Sequence, residues 1–182
     1  MPNWCNNTLI IRGDVETLSQ LKPVLEAGEG LLEAIAPIGK WDYGNATKKW
    51  GTKWDISTEG LEFVDNSDGT AEIAGYFDSA WSPPLEAFAQ LVQDWDSCYI
   101  ELKYFEPGCC FTGVWDSEGG NAYYDGIDDL LDTTADEDGV LFELLEDFAI
   151  ADWYVVDEYE EEEDEEEDEE EDEEFNSVPT GI

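Results

Sequence analysis

Histidine is absent from this 182-residue chain, and cations are scarce: seven Lys plus Arg stand against 48 Asp plus Glu. Without histidine, the commonest general base and the commonest metal-ligand nitrogen are missing. At a formal net charge of −41, the chain is not drawn to nucleic acid or to an anionic membrane, because each phosphate contact needs a cation. It has no apolar run of about 18 residues, so no membrane-spanning helix is expected. The opening MPNWCNN has neither a basic n-region nor an apolar h-region, so it is not expected to be a secretory signal.

Cysteine is also sparse. Cys5, Cys98, Cys109 and Cys110 form no C-x-x-C pair, the spacing that lets two thiolates share one zinc. Cys109 and Cys110 are neighbours and on a strand would face opposite ways. Buried, reduced thiols are expected, since a nucleophilic thiolate would want a base beside it. There is no P-loop, G-x-S-x-G or G-x-G-x-x-G. Asn6-Asn7-Thr8 and Asn45-Ala46-Thr47 fit the glycosylation pattern, which a cytosolic protein would not use. Asp125, Asp128, Asp129 and Asp132 cluster, and Thr134-x-Asp136-x-Asp138-Gly139 faintly resembles a calcium loop. That loop needs an acid first and a bidentate Glu twelfth, where this chain has Thr134 and Leu145. No catalytic residue, metal or cofactor is therefore expected, and carboxylate pairs arise by chance among so many acids.

What is there is unevenly spread. All seven cations lie in residues 1–103, and residues 104–182 hold 31 acids and none. The run Asp157–Glu174 carries 17 acids interrupted by Tyr159. With no apolar side chain to bury, nothing offsets about 1–2 kcal/mol of backbone entropy per ordered residue, so 157–182 is expected to be a disordered tail. Phe175 and Val178 return to apolar character beyond it. The remaining residues 1–156 hold 31 acids against seven cations, a net of −24.

Apolar spacing gives the element order. Thr8–Arg12 reads as a strand, and Val15, Leu18, Leu21, Val24 and Leu25 as a helix capped by Asp14 and stopped near Gly28. Residues 28–50 look irregular, with a short helical turn over Leu31–Ile35. Thr52–Ser57 and Leu61–Val64 look like strand pieces, Asn66–Gly69 a turn and Ala71–Phe77 a strand. Ser82-Pro83-Pro84 opens a helix carrying Leu85, Phe88, Leu91, Val92 and Trp95. Cys98–Phe105 and Cys109–Trp115 read as a hairpin across Pro107-Gly108. Residues 117–136 read as acidic loop, and Val140–Ile150 as a last helix. The order β-α-β-β-α-β plus a strand is that of an α+β, ferredoxin-like split β-α-β sandwich. The expected division is a core over 1–116, an acidic loop and C-terminal helix over 117–156, and a tail over 157–182.

Four stretches carry a resemblance. MPNWCNNTLIIRG at the start, WGTKWD at 50–55, FDSAWSPP at 77–84 and YFEPGCCFTG at 104–113 resemble the signatures of the YubB-like family, borne by phages and plasmids. The resemblance covers roughly residues 1–116. It implies a ferredoxin-like domain and a mobile-element origin, that of a phage. With no secretory signal expected, the compartment expected is a reducing one, the host bacterial cytoplasm. It implies no established activity and assigns no catalytic residue.

Two functions from different classes follow. In the first, the chain mimics nucleic acid. Duplex DNA carries one charge per roughly 1.7 Å, so 24 charges match roughly 41 Å of it, about the diameter of a domain of this size. Such an inhibitor would fill the basic surface of a host nucleic-acid-binding protein, such as a defence or repair factor. The expected face comprises Asp116, Glu118, Asp125, Asp128, Asp129, Asp132, Asp136, Glu137, Asp138, Glu143, Glu146 and Asp147. In the second, acids serve solubility alone and exposed Trp or Tyr bind a protein. Trp41, Tyr43, Trp50 and Trp54 interleave with Lys40, Lys48, Lys49 and Lys53, a pattern that can stack single-stranded bases. Against the chain's charge, the tryptophans Trp50 and Trp54 are expected to be structural and the lysines to balance local acids.

Overall fold

A computed structural model of the chain describes residues 3–95, 97–130 and 139–154. The acidic run 157–174 and residues 175–182, expected to be disordered, lie outside the described residues. The chain divides into two compact units, Met1–Ile150 and Ala151–Ile182. Of the second, residues 151–154 are described. They end a 3-10 turn, Ile150–Trp153, where the Tyr154 N–H donates to the Ala151 carbonyl at 3.2 Å.

The first unit is built on a six-stranded antiparallel sheet. Its strands are β1 Trp4–Asp14, β2 Leu61–Asp65, β3 Thr70–Ala80, β4 Tyr99–Glu106, β5 Phe111–Asp116 and β6 Asn121–Asp125, in the order β2-β3-β1-β4-β5-β6. Strands β2-β3-β1-β4 are the ferredoxin-like arrangement, and β5-β6 is a hairpin added at the β4 edge. Register places Leu9 opposite Leu102, and Ile11 opposite both Ile73 and Ile100. These side chains share one face because strand side chains alternate. Helices cover that face: α1 Val15–Leu18, α2 Lys22–Ala27, α3 Leu31–Ile35, α4 Tyr43–Trp50 and α5 Leu85–Asp94. Leu18, Leu21, Leu32, Ile35, Trp50, Phe88 and Leu91 complete the core with Leu9, Ile11, Ile73, Ile100 and Leu102. Each such side chain contributes about 1.5–3 kcal/mol on burial.

The opposite face is covered in part. Lys103 and Phe105 alternate away from Leu102 on β4 and meet α7, Val140–Asp147. The Phe105 and Phe148 rings lie 6.1 Å apart. Leu130 of α6 (Ile127–Leu130), Leu141, Leu144 and Ile150 are buried outside the main core cluster.

Several expectations are corrected. The helix expected from Val15 to Gly28 is two helices joined by a 3-10 turn, Ser19–Leu21. Pro23 lacks the N–H that would bond back to residue 19, and the chain tightens there. Asp14 stands at the N-cap, but its side chain makes no capping bond. The segment read as irregular contains α4, whose N-cap Asp42 accepts the Asn45 N–H at 3.0 Å. Thr52–Ser57 is not a strand. Its Asp55 carboxylate instead accepts the Leu32 and Glu33 N–H groups, both at 2.9 Å, and so caps α3. Residues 121–125, read as loop, form β6. Asp116 closes the turn before it, accepting the Glu118 N–H at 2.7 Å and the Gly120 N–H at 2.9 Å.

Candidate functional site

The four motifs meet at one end of the sheet, because antiparallel register brings the start of β1 beside the ends of β3 and β4. Asn7 is buried there. Its Nδ2 donates to the Cys5 carbonyl at 2.7 Å, to Ser79 Oγ at 2.9 Å and to the Phe77 carbonyl at 3.3 Å. Ser79 Oγ donates to the Ser82 carbonyl at 2.8 Å, and Ser82 Oγ to the Gly51 carbonyl at 2.5 Å. Buried Thr52 donates to the Ala80 carbonyl at 2.8 Å. One hydrogen-bonded chain therefore ties the motifs around Asn7, Ser79 and Gly51. Such fully satisfied buried polar networks hold a unique geometry.

The fourth motif closes the same end. Glu106 is buried, and its carboxylate accepts the Gly108 N–H at 3.2 Å and the Cys109 N–H. This corrects the cysteine expectation. Cys109 and Cys110 lie in the turn rather than on a strand, Cys110 with φ +57°, and Cys109 is exposed. A hydrogen bond to Glu106 and the negative charge of Glu106 hold the Cys109 thiol pKa above its ordinary value. Cys5 and Cys98 are buried as expected, and burial pushes the Cys5 thiol far up. Both effects disfavour a thiolate, the reactive form.

This frame supports an exposed aromatic cluster. The Trp4 and Trp54 rings stand 6.1 Å apart. Lys53 Nζ lies 4.5 Å from the ring centroids of both Trp54 and Trp81. Tyr43, at the start of α4, meets Trp81 edge-on at 6.0 Å, and Trp41 Nε1 donates to the Lys53 carbonyl at 3.1 Å. Trp81 holds φ +77°, a left-handed conformation that is costly for a bulky residue. Its backbone N–H is fixed by the Asn3 carbonyl at 2.9 Å. Of the two tryptophans expected to be structural, Trp50 is: it is 3% exposed and donates to the Ala36 carbonyl at 2.7 Å. Trp54 is exposed instead. None of Lys40, Lys48, Lys49 and Lys53 forms an ion pair among the described residues, so Lys53 balances rings rather than acids. Beside the cluster runs a groove lined by Trp4, Tyr76, Asp55, Glu59 and Asp78.

The acidic residues expected to form one face are dispersed. Asp132, Asp136, Glu137 and Asp138 lie outside the described residues, and Asp129 falls within α6. Register puts Asp116 on the α7 side of the sheet and Asp125 on the α5 side. Asp116 is committed to its turn. Glu143 and Asp147 flank Lys103, at 3.7 and 2.6 Å. Glu118, Asp125, Asp128 and Glu146 are exposed. Among the described residues, no group of three His, Cys, Asp or Glu side chains could hold a metal ion. No helix among them is long and apolar enough to cross a membrane.

The model of a protein family described as the ferredoxin-like domain in Api92-like protein matches residues 49–141, just over half of the chain. The chain belongs to that family. The Api92-like match spans three of the four motifs and runs from the end of α4 into α7. It leaves out β1, which the ferredoxin-like sheet of this chain holds at its centre. No curated protein and no solved structure matches the chain.

The convergence of the motifs is what sequence reasoning missed. Each motif pairs a tryptophan or cysteine with small polar residues, a sign of side chains working at a tight junction. Nothing in the spacing told which junction.

Proposed function

We propose that this Api92-like domain is a binding protein without catalytic activity, an acidic inhibitor that occupies the basic, nucleic-acid-binding surface of a host protein. The observation that carries this reading is uncompensated charge. Ion pairs among the described residues use Arg12 and Lys103 alone, while 48 acids face seven cations. Glu118, Asp125, Asp128 and Glu146 point into solvent around β5, β6 and α7. A field of one sign steers a basic partner and repels nucleic acid itself. The motifs' resemblance to the phage- and plasmid-borne YubB-like family suggests a bacterial cytoplasmic target and an anti-defence or anti-repair role. The acidic segment 157–182 would add a second polyanion.

The test is capture of partners by the full chain from a bacterial lysate at low salt and at about 150 mM, where screening falls to about 8 Å. The expected partner binds nucleic acid when isolated and is released from the chain by duplex DNA. Partners that hold through salt and ignore DNA would overturn the mimicry.

A second reading has its own observation, the exposed Trp4, Trp41, Tyr43, Trp54, Tyr76 and Trp81. In it the aromatic cluster binds a protein by hot-spot packing, and the acids only keep the chain in solution. Loss of the partner on Trp81→Ala, with no competition from DNA, would favour it.

A further inference from the structure

The groove beside the aromatic cluster is lined by rings and carboxylates and, among the described residues, by no cation. Tyr76 is 73% exposed and Trp4 46%, a large unburied ring area for two residues on a sheet. Between them stands Asp78, on the same sheet face as Tyr76 and held by Asn6 Nδ2 at 2.9 Å. Asp55 is spent on the N–H groups of α3 and of Ile56. Glu59 and Asp78 are exposed and keep acceptor capacity. An adjoining depression sets Glu29 beside Asp55 and Glu59.

Ring faces attract cations, because the π-system is negative at its face. Carboxylates pair a guanidinium through two parallel hydrogen bonds, which an ammonium cannot match. The chain uses the first of these contacts internally: Lys53 lies on Trp54 and Trp81, and Lys22 Nζ lies 4.0 Å from the Phe63 ring centroid. In the groove the rings and the acids stand together, and among the described residues no side chain supplies the cation.

We propose that the groove formed by Trp4, Tyr76, Asp78 and Glu59 docks an arginine-bearing segment of a basic protein partner. The proposal rests on the reading of the protein as a binder of basic surfaces, and it names the place and the side chain. The guanidinium stacks on Tyr76 or Trp4 and pairs with Asp78 and Glu59. Lys53, already seated on the neighbouring indoles, marks the edge of the site.

The experiment titrates the full chain with an arginine octapeptide and with its lysine counterpart at about 150 mM salt, reading tryptophan fluorescence and heat. The expected result is about tenfold tighter binding of the arginine peptide. Tyr76→Ala, and separately Asp78→Asn with Glu59→Gln, should each weaken it by about tenfold. Asp14→Asn with Glu16→Gln, exposed at the far end of β1 from Trp4, should change it less than about twofold. Equal affinity for the two peptides, or an unchanged affinity in both groove variants, overturns the groove but leaves the general reading standing. Failure of both peptides to bind overturns the groove and that reading together. A loss confined to Glu118→Gln with Glu146→Gln, with both groove variants unchanged, overturns the groove and moves the site to the acidic surface around β5 and α7.

Discussion

Where the four motifs meet, polar side chains are buried and aromatic ones exposed; around α6 and α7, leucines are buried and acids exposed. At the first place Asn7, Thr52 and Ser79 are inside while Trp4, Trp54 and Trp81 are exposed. At the second, Leu130, Leu141 and Leu144 are inside while Asp128 and Glu146 are exposed. The second is the ordinary way to close a small core, and it stabilises the chain with no partner present. The first leaves ring area in water while ordering buried polar groups, and it holds Trp81 in a left-handed conformation. Exposed apolar patches on a soluble domain are a common mark of an interaction surface. The comparison therefore separates charge, which is general and long-ranged, from a built site, which is local.

Three substitutions break or sharpen that contrast through stability, read by urea unfolding. The largest effect belongs to Trp50→Ala. Its indole fills the core beneath the aromatic cluster and donates to Ala36, so truncation should cost about 3–5 kcal/mol. Asn7→Ala comes next. It removes three bonds inside a buried network and should cost about 1–3 kcal/mol, and it should change tryptophan fluorescence because Trp4 and Trp81 hang on that frame. Lys103→Met should cost less than about 1 kcal/mol, since it acts on the half-exposed carboxylates of Glu143 and Asp147. A cost for Lys103→Met equal to that of Asn7→Ala would show that the acidic region is as built as the aromatic one.

How much of this the sequence revealed depends on the range of the physics involved. The split β-α-β order was legible because Leu9, Ile11, Ile73, Ile100 and Leu102 alternate within single strands. Helix α5 was legible from its Pro83-Pro84 entry and apolar spacing. Helix α4 was not, because Lys48 and Lys49 hide its apolar face, leaving Ala46 and Trp50 as its buried positions. The strand β6 was not, because NAYYD is short and acidic. The motifs were visible as strings, but their junction depends on β1 pairing with β3 and β4, a contact across some 70 to 100 residues. The acids were visible as charge alone. That Asp116 serves a turn, Asp55 a helix start and Asp147 a lysine depends on which backbone or cation each meets, and composition carries no trace of it.

The smallest predicted effect is in the alkaline titration. Tyr104 is buried near the aromatic end, and burial pushes its phenol up to about 12 from 10.0. Tyr99 lies beside the acidic turn. Burial, a hydrogen bond to Glu101 at 2.8 Å and the charges of Glu101, Asp116 and Glu118 push it to about 12 as well. A phenol whose pKa is raised by folding keeps its proton where the unfolded chain has lost it. The linked stability is complete below pH 10 and is lost as pH rises through about 12. The two phenols should nonetheless answer differently to salt. Screening acts on the acids around Tyr99 but little on the buried surroundings of Tyr104. Among the eight tyrosines, subtracting the absorbance titration of Tyr99→Phe or of Tyr104→Phe from that of the unaltered chain isolates the phenol removed. Added salt should lower the Tyr99 midpoint and leave that of Tyr104 in place. An equal response would mean that both regions feel the same diffuse field, and the line drawn between charge and built site would have to be withdrawn.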